Sequence, residues 1–176
     1  MLQTYIVLLR GINVSGQKKV PMAELRALLE RLNFKNVQTY IQSGNVVFRS
    51  PEKDKNNLEN IIKKAIIAQF GFDVPVLVKT EAQLESIFNN CPFSEAKKEK
   101  SYFTLLHAVP QEKLMQSAQS QSFPNEEIRI TKNCVYFYSE IGYGKAKCNN
   151  NFLERKLKVT ATTRNYKTMM KLLTLS

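Results

Sequence analysis

The 176-residue sequence contains no tryptophan, a single histidine and only three cysteines. Cys91, Cys134 and Cys148 are odd in number and far apart, which fits neither a disulfide framework nor a zinc site made of Cys and His. Unpaired cysteines suit a reducing compartment, so we expect a cytoplasmic location.

Long apolar runs and nucleotide fingerprints are missing as well. The longest apolar run near the start covers residues 5–9 and ends at Arg10, too short for the core of a signal peptide. No stretch approaches the roughly 18 apolar residues of a membrane span. The Walker pattern and the dinucleotide-binding glycine pattern are both absent. We therefore predict no membrane association, no metal and no cofactor.

Acidic residues are scarce, and the imbalance is local. The chain has 26 Lys and Arg against 15 Asp and Glu, a net charge of +11. Residues 142–176 hold eight basic residues and one acid, Glu154, so they carry +7 of that charge. Such an end attracts nucleic acid or a phosphorylated small molecule. A solvated basic face that only aids solubility is an equally common explanation.

Apolar residues make up 43% of the chain, including ten Phe and seven Tyr. A chain of this length buries about 70% of the surface that it exposes when unfolded. One compact unit with two lobes is therefore expected.

The first half alternates between strand and helix periods. Strands are predicted over residues 5–10, 37–41, 45–49 and 73–79, and helices from Pro21 and around residues 58–70. Pro21 suits the first helical position, and Pro75 indicates an edge strand. The order β-α-β-β-α-β predicts an α+β fold with a ferredoxin-like lobe at residues 1–79.

The second half, residues 80–176, is predicted to form a second α/β lobe with C-terminal helices. It opens with a helix in which Thr80 and Gln83 have capping-box spacing. The apolar pattern then gives the order α-β-α-β-β-α-α, a partial echo of the first lobe, with the last helix over about residues 164–173. The strands at residues 6–9 and 103–106 are nearly continuous apolar runs, which predicts sheets covered on both faces. We expect the lobes to pack together and leave a crevice suited to a ligand.

Three motifs resemble a known family. They are Leu-Leu-Arg-Gly-Ile-Asn-Val at residues 8–14, followed by Lys-Lys-Val-Pro-Met at 18–22; Thr-Tyr-Ile-Gln-Ser-Gly-Asn-Val-Val-Phe at 39–48; and Ala-Thr-Thr-Arg-Asn-Tyr at 161–166. In this order they resemble the bacterial domain of unknown function 1697 family. The resemblance implies a two-lobed fold with a ferredoxin-like N-terminal part, and it implies no activity.

Two loops of the first lobe are candidate ligand sites. The loop from Arg10 to Lys19 leads into a helix and contains Asn13 and Lys18, so it could hold an anion near that helix N-terminus. An ordinary surface connection explains it equally well. Ser43 and Asn45 could present polar groups to the crevice, although a hairpin link favours such residues for backbone reasons alone.

The second lobe offers a third candidate. Thr163, Arg164 and Asn165 are predicted to open a helix, where a Thr cap beside an Arg donor fork could seat a phosphate or carboxylate. Lys145, Lys147 and Lys167 add charge that the fold could bring nearby. Helix capping and solvated charge are the plainer explanation.

The sequence favours no catalytic role for His107 or Cys148. His107 ends an apolar strand without a nucleophile partner, which favours a structural role. Cys148 lies between Lys147 and a predicted helix start, a setting that can lower a thiol pKa, but the sequence shows no base to activate it.

Three functional hypotheses follow. The first is a non-catalytic module that binds a phosphate-bearing ligand, nucleic acid or nucleotide, through a basic surface between the lobes. The second is an enzyme that acts on a small anionic substrate in the crevice through Arg10, Asn13, Asn45, Arg164 and Asn165. The third is a protein-interaction module, which would expose a large apolar patch. The sequence leaves the oligomeric state open.

Overall fold

Two four-stranded antiparallel sheets organise the chain, which we describe from a computed structural model of all 176 residues. The strands are β1 (Gln3–Leu9), β2 (Lys35–Tyr40), β3 (Asn45–Ser50), β4 (Val76–Thr80), β5 (Tyr102–Leu106), β6 (Glu126–Ile130), β7 (Cys134–Ser139) and β8 (Ala161–Asn165). The helices are α1 (Met22–Arg31), α2 (Lys55–Phe70), α3 (Glu81–Asn89), α4 (Glu95–Lys98), α5 (Glu112–Gln119), α6 (Asn150–Leu157) and α7 (Tyr166–Leu175), with a 3-10 turn, η1 (Tyr143–Lys145). None of these helices combines the length and apolarity that crossing a bilayer requires.

The chain divides into two compact units. The first contains residues 1–85 and 171–176, and the second contains residues 86–170. In the first unit the strand order is β2-β3-β1-β4, which is the order of the ferredoxin-like β-α-β-β-α-β arrangement. The fold predicted for the first half of the sequence is confirmed. The predicted lobes, 1–79 and 80–176, remain a proposal about which segments fold as units.

The second unit repeats the first more fully than the sequence indicated. Its elements run β5-α5-β6-β7-α6-β8 and its sheet order is β6-β7-β5-β8, so it has the same topology. The prediction of a helix beginning at Arg164 was wrong, because residues 161–165 form β8 and pair with β5. The β-branched residues Thr162 and Thr163 favour this strand. Helix α7 begins only at Tyr166.

Several helix ends follow the signals in the sequence. Asp54 accepts a hydrogen bond from Asn56 N at the start of α2, and Gly71 ends that helix in the left-handed conformation. Thr80 and Gln83 form the predicted capping box, each side chain accepting from the other's backbone N–H at 3.2 Å. Pro21 precedes α1 as its cap, one residue before the predicted position.

Strand β1, an inner strand of the first sheet, is buried on both faces, as its apolar run predicted. Residues 5–9 are at most 1% exposed. Tyr5, Val7 and Leu9 belong to the core beneath α1 and α2, where Phe34 stacks on Phe48 with ring centroids 4.1 Å apart. Because side chains alternate along a strand, Ile6 and Leu8 lie on the opposite face, where they are equally buried.

The second sheet follows the same plan. Leu106 and Phe137 belong to a core with the apolar residues of α6, and Phe103 lies on the other face. There, Phe88 of α3 stacks on Phe103 with ring centroids 5.5 Å apart. Tyr136 donates its hydroxyl to the Ile87 carbonyl at 2.8 Å, and burial raises its pKa. The second half of α3 is thereby fixed on this face.

On two edge strands, side chains from neighbouring helices form hydrogen bonds with the outward-facing backbone groups. On β4, the edge strand that Pro75 predicted, Val78 N donates to Glu59 Oε1 at 2.8 Å. On β6, Gln119 accepts from Ile130 N at 2.9 Å and donates to Ile128 O at 3.0 Å.

The remaining two edges are protected in different ways. On β8, Ala161 N donates to Glu154 Oε1 at 2.9 Å, and its carbonyl accepts from Asn150 Nδ2 at 3.0 Å. On β2, a bulge interrupts the ladder, with Asn36 at φ 53°. Bulges and occupied edges hinder pairing with a further strand.

Gly44 has the least free space of the glycines in the first unit. Its φ is +79°, and a Cβ added there would lie 2.6 Å from Leu9 Cβ and 2.9 Å from Ile12 Cδ1. Its carbonyl also accepts the Leu9 N–H at 2.8 Å, which fixes the hairpin link against the end of β1.

We expect Gly44→Ala to lower the free energy of unfolding by about 2–5 kcal/mol, since strain at positive φ and overpacking both contribute. Gly16→Ala is the matched control, because Gly16 has a similar φ of +76° with nothing within 4 Å of the added Cβ. It should cost only about 1 kcal/mol. Urea denaturation of both variants measures the difference, and equal losses would contradict the close packing at Gly44.

Candidate functional site

The residues predicted to bind a ligand are divided between the two units. The first unit holds Arg10, Asn13, Lys18, Lys19, Ser43 and Asn45, and the second holds Lys145, Lys147, Thr163, Arg164, Asn165 and Lys167.

The loop after β1 folds as a miniature hairpin. Val14 and Gln17 form an isolated bridge, and Gln17 N donates to Val14 O at 2.9 Å. Between them Ser15 and Gly16 have φ values of 50° and 76°, as a type I′ turn requires. The loop thus has an ordered tip, which projects into solvent.

Asn13 fixes the base of this loop. Its Nδ2 donates to Val20 O at 2.9 Å and to Gln42 O at 2.8 Å, and its Oδ1 accepts from Val20 N at 2.8 Å. Both N–H groups of the amide are therefore used, and the loop is joined to the β2–β3 hairpin. Its left-handed φ of 54° is a conformation that Asn tolerates.

The hairpin residues are also bonded internally. Asn45 is fully buried, and its Nδ2 donates to Tyr40 O at 3.0 Å and to Ser43 Oγ at 2.9 Å. Lys18 Nζ donates to Asp73 O at 2.7 Å. Arg10 is half-buried at the end of β1, and Lys19 is exposed. Asn13, Asn45 and Lys18 therefore have structural bonds in the first unit.

The predicted phosphate seat of the second unit has a different geometry from the one expected. Thr163 Oγ1 lies 2.9 Å from Thr104 Oγ1 and donates to Asn150 Oδ1 at 2.7 Å, across the β5–β8 pair to the start of α6. Arg164 is only 9% exposed, and its Nη1 donates to Thr163 O at 2.9 Å. Asn165, not Thr, caps α7 by accepting from Thr168 N at 2.9 Å. Thr163 and Asn165 thus position α6 and α7.

The three lysines predicted as ligand residues in the second unit lie at one end of its sheet. Tyr102, the first residue of β5, pairs with Asn165, the last residue of β8. The Tyr102 ring lies 4.8 Å from the Tyr143 ring, which brings η1 to the same end. Lys145 and Lys147 follow Tyr143 closely in the chain, and Lys167 follows Asn165.

A fourth lysine at this end, Lys100, was not predicted from the sequence; it lies two residues before Tyr102 in a loop rich in Lys and Glu. Its place just before the first strand of the second sheet was the signal that could have found it. We call Lys100, Lys145, Lys147 and Lys167 the basic end. All four side chains are exposed, and none of their ammonium groups takes part in an ion pair or hydrogen bond.

Hydrogen bonds from backbone N–H groups to side-chain oxygens hold the loop that carries Lys145 and Lys147. The two carboxylate oxygens of Glu126 accept from Lys147 N at 2.8 Å and from Cys148 N at 3.0 Å. Tyr143 accepts from Asn150 N through its hydroxyl oxygen at 2.9 Å. The lysine side chains thus project from an anchored backbone.

Two helices begin at the same end. The bond between Thr163 and Asn150 brings the N-terminus of α6 beside β8, and α7 starts directly after β8. Helix N-termini carry partial positive charge. Asn149 caps α6 by accepting from Phe152 N at 3.0 Å, and Asn165 caps α7 in the same way. The helices therefore add positive potential at this end, but few of their backbone N–H groups are free to bind a ligand.

Acidic residues lower the potential of the basic end. Glu99 precedes Lys100 and Glu140 follows the end of β7, and both are exposed. Glu154, the only acid in residues 142–176, is half-buried and accepts from Ala161 N at the edge of β8. Glu126 is a third carboxylate at this end, since it accepts from Lys147 N and Cys148 N, so the four lysines exceed these three acids by one charge.

The surroundings of Cys148 and His107 indicate a structural role for both residues. Cys148 is fully buried, and burial, with a smaller contribution from Glu126, raises its pKa to about 12. The sequence context suggested a lowered pKa, but burial dominates. His107 Nε2 lies 2.8 Å from Thr162 Oγ1. No three His, Cys, Asp or Glu side chains are grouped closely enough to hold a metal ion.

A surface cavity of about 260 Å³ lies between the end of α5 and β6, lined by Gln119, Phe123, Glu126, Arg129 and their neighbours. None of the predicted ligand residues lines it. Gln119 is already bonded to β6, and Glu126 to the loop after η1. This cavity is not the predicted site.

The chain belongs to the family described as protein of unknown function DUF1697, whose model matches residues 2–136. The match contains the first two motifs that carried the resemblance, and the third motif lies beyond it. The chain is also similar to the solved structure of a conserved bacterial protein from Streptococcus pneumoniae. The two are 25% identical, with a TM-score of 0.78 over 99% of each chain. No curated protein matches the chain.

We expect Asn13→Ala to lower the free energy of unfolding by about 2–4 kcal/mol, because it removes three hydrogen bonds and places Ala at positive φ. Asn13→Gly is the matched control: it tolerates the backbone conformation and isolates the loss of the bonds, at about 1–3 kcal/mol. Urea denaturation measures both. If neither variant changes stability, Asn13 is not a structural clamp and becomes a candidate ligand residue again.

Proposed function

We propose that the protein binds a phosphate-bearing ligand, a nucleic acid or nucleotide, at the basic end of the second unit. One observation carries the proposal: four exposed lysines at one end of a sheet lack any anionic partner. Clustered like charges repel each other and concentrate a positive potential, which a polyanion relieves. The N-termini of α6 and α7 add to that potential.

The other basic residues of the C-terminal segment have a plainer explanation. Arg155 and Lys156 lie in the last turn of α6, where the helix C-terminus favours cations. Their charged groups also lie 5.8 Å from the ring of Phe152. Lys158 ends that helix in the left-handed conformation. These residues support α6 and are not needed for a ligand.

The alternatives receive less support. An enzyme that used Asn13 and Asn45 would need their amide groups free, but backbone and hydroxyl oxygens occupy all their N–H groups. A protein-interaction role rests on two exposed apolar side chains on adjoining loops, Val14 at 59% and Ile41 at 50%. Two residues are fewer than the contiguous patch that marks an interface, so we rank this role second.

Binding should weaken steeply with salt. Four phosphate contacts give a slope of about −3 in log K against log salt, so affinity should fall about 50- to 150-fold between 50 and 200 mM NaCl. Fluorescence anisotropy with a fluorescein-labelled 20-nucleotide oligomer, single-stranded and duplex, measures this. No binding at 50 mM, or an affinity that salt does not change, would remove the proposal.

Removing single lysines should reduce this slope. We expect Lys145→Gln, Lys147→Gln and Lys167→Gln each to make it shallower by about 0.7–0.9, one phosphate contact each. Lys132→Gln is the matched control, because Lys132 is an exposed lysine in the turn between β6 and β7, at the opposite end of the same sheet. Glu140→Gln should strengthen binding by removing a repulsive charge. If the Lys132 variant weakens binding as much as the others, the ligand is not bound at the basic end.

A further inference from the structure

Tyrosines stand among the lysines of the basic end. Tyr102 comes two residues after Lys100, Tyr143 two residues before Lys145, and Tyr166 directly before Lys167. All three residues are half-buried, so each keeps part of its surface in solvent. Aromatic rings beside lysines form the combination with which proteins hold unpaired bases and their phosphates together.

Tyr143 is the best placed of the three because neighbours fix its ring. It lies 4.8 Å from the Tyr102 ring at an interplanar angle of 38°, and 6.1 Å from the Phe137 ring in an edge-on arrangement at 75°. Its hydroxyl oxygen accepts from Asn150 N at 2.9 Å. A ring that is already oriented loses little conformational entropy when a base stacks on it.

Both chain neighbours of Tyr143 lack a side chain. Gly142 and Gly144 flank Tyr143, and a Cβ added to either would meet no atom within 4 Å. Lys145 and Lys147 then follow on the anchored loop. A base stacked at Tyr143 would therefore have the phosphates of its own strand within reach of exposed ammonium groups.

We infer that the ligand of the basic end is a single-stranded nucleic acid, with a base stacked on the exposed part of Tyr143 and phosphates held by Lys145 and Lys147. This inference rests on the proposed function and deepens it. A duplex keeps its bases stacked on each other and can use only the lysines. Inorganic polyphosphate has no base and can likewise use only the lysines.

The experiment compares four probes on the full chain by fluorescence anisotropy. They are fluorescein-labelled 12-nucleotide single strands of RNA and of DNA, a 12-base-pair duplex, and inorganic polyphosphate as an unlabelled competitor. We expect single strands to bind more tightly than the duplex at equal salt. Tyr143→Leu should weaken single-strand binding about 5- to 150-fold, the range for losing one stacked base, and should leave polyphosphate competition unchanged.

Two further variants separate stacking from folding. Tyr143→Phe keeps the ring and removes only the hydroxyl, so single-strand binding should stay within about threefold of the unmodified chain if stacking dominates. Tyr40→Leu alters a half-buried tyrosine of the first unit and should change nothing in binding. Because the chain has no tryptophan, tyrosine emission is directly visible, and Tyr143→Leu should reduce the quenching that a single strand causes.

The outcomes are distinguishable. Salt-dependent binding of duplex and polyphosphate with no preference for single strands, and no effect of Tyr143→Leu, overturns this inference and leaves the proposed function standing. No binding of any probe at low salt overturns both. If the Leu variant fails to fold, the single-strand to duplex affinity ratio of the unmodified chain and the Phe variant decide the matter: equal affinities overturn the inference.

Discussion

The position of β5 between β7 and β8 is the constraint on which the second unit depends. Tyr102 pairs with Phe137 on one side and with Asn165 on the other, so the start of β5 and the end of β8 meet at a fixed place. The hydroxyl of Thr163 on β8 donates to Asn150 Oδ1 and so fixes the start of α6 against this strand. Three separate segments, before β5, after β7 and after β8, are thereby brought to one end of a sheet, although about 65 residues of chain separate the first from the last.

The first unit was readable from the sequence because its signals are local and agree with one another. Apolar periodicity, the Gly71 stop, the Thr80–Gln83 capping box and Pro75 all gave the arrangement that the structure has. Strand β8 was missed because Thr162, Thr163 and Arg164 lack the apolar alternation of a strand. The apolar spacing of Met169 and Leu172 extended the predicted helix backwards over it.

The candidate site was predictable only in part. The excess of lysine could be read from the composition, and the lysines at 145, 147 and 167 were named. Whether a polar side chain is free for a ligand depends on long-range pairing: Asn13 is bonded to Gln42 and Thr163 to Thr104, and no local pattern gives these partners. The two units also place their named residues at opposite ends of equivalent sheets. Arg10 and Asn45 lie where β1 ends, whereas the basic end lies where β5 begins.

The occupied sheet edges have a consequence for how copies of this chain can associate. A strand from another copy could join β4 or β8 only by displacing the carboxylate of Glu59 or Glu154 from a backbone N–H, and on β6 it would have to displace both ends of the Gln119 amide. Each displacement exchanges one hydrogen bond for another and leaves a polar side chain without its former hydrogen-bond partner. Growth of a continuous intermolecular sheet therefore gains little at its first step, and crowding of this chain should favour reversible contacts between side chains over fibre formation.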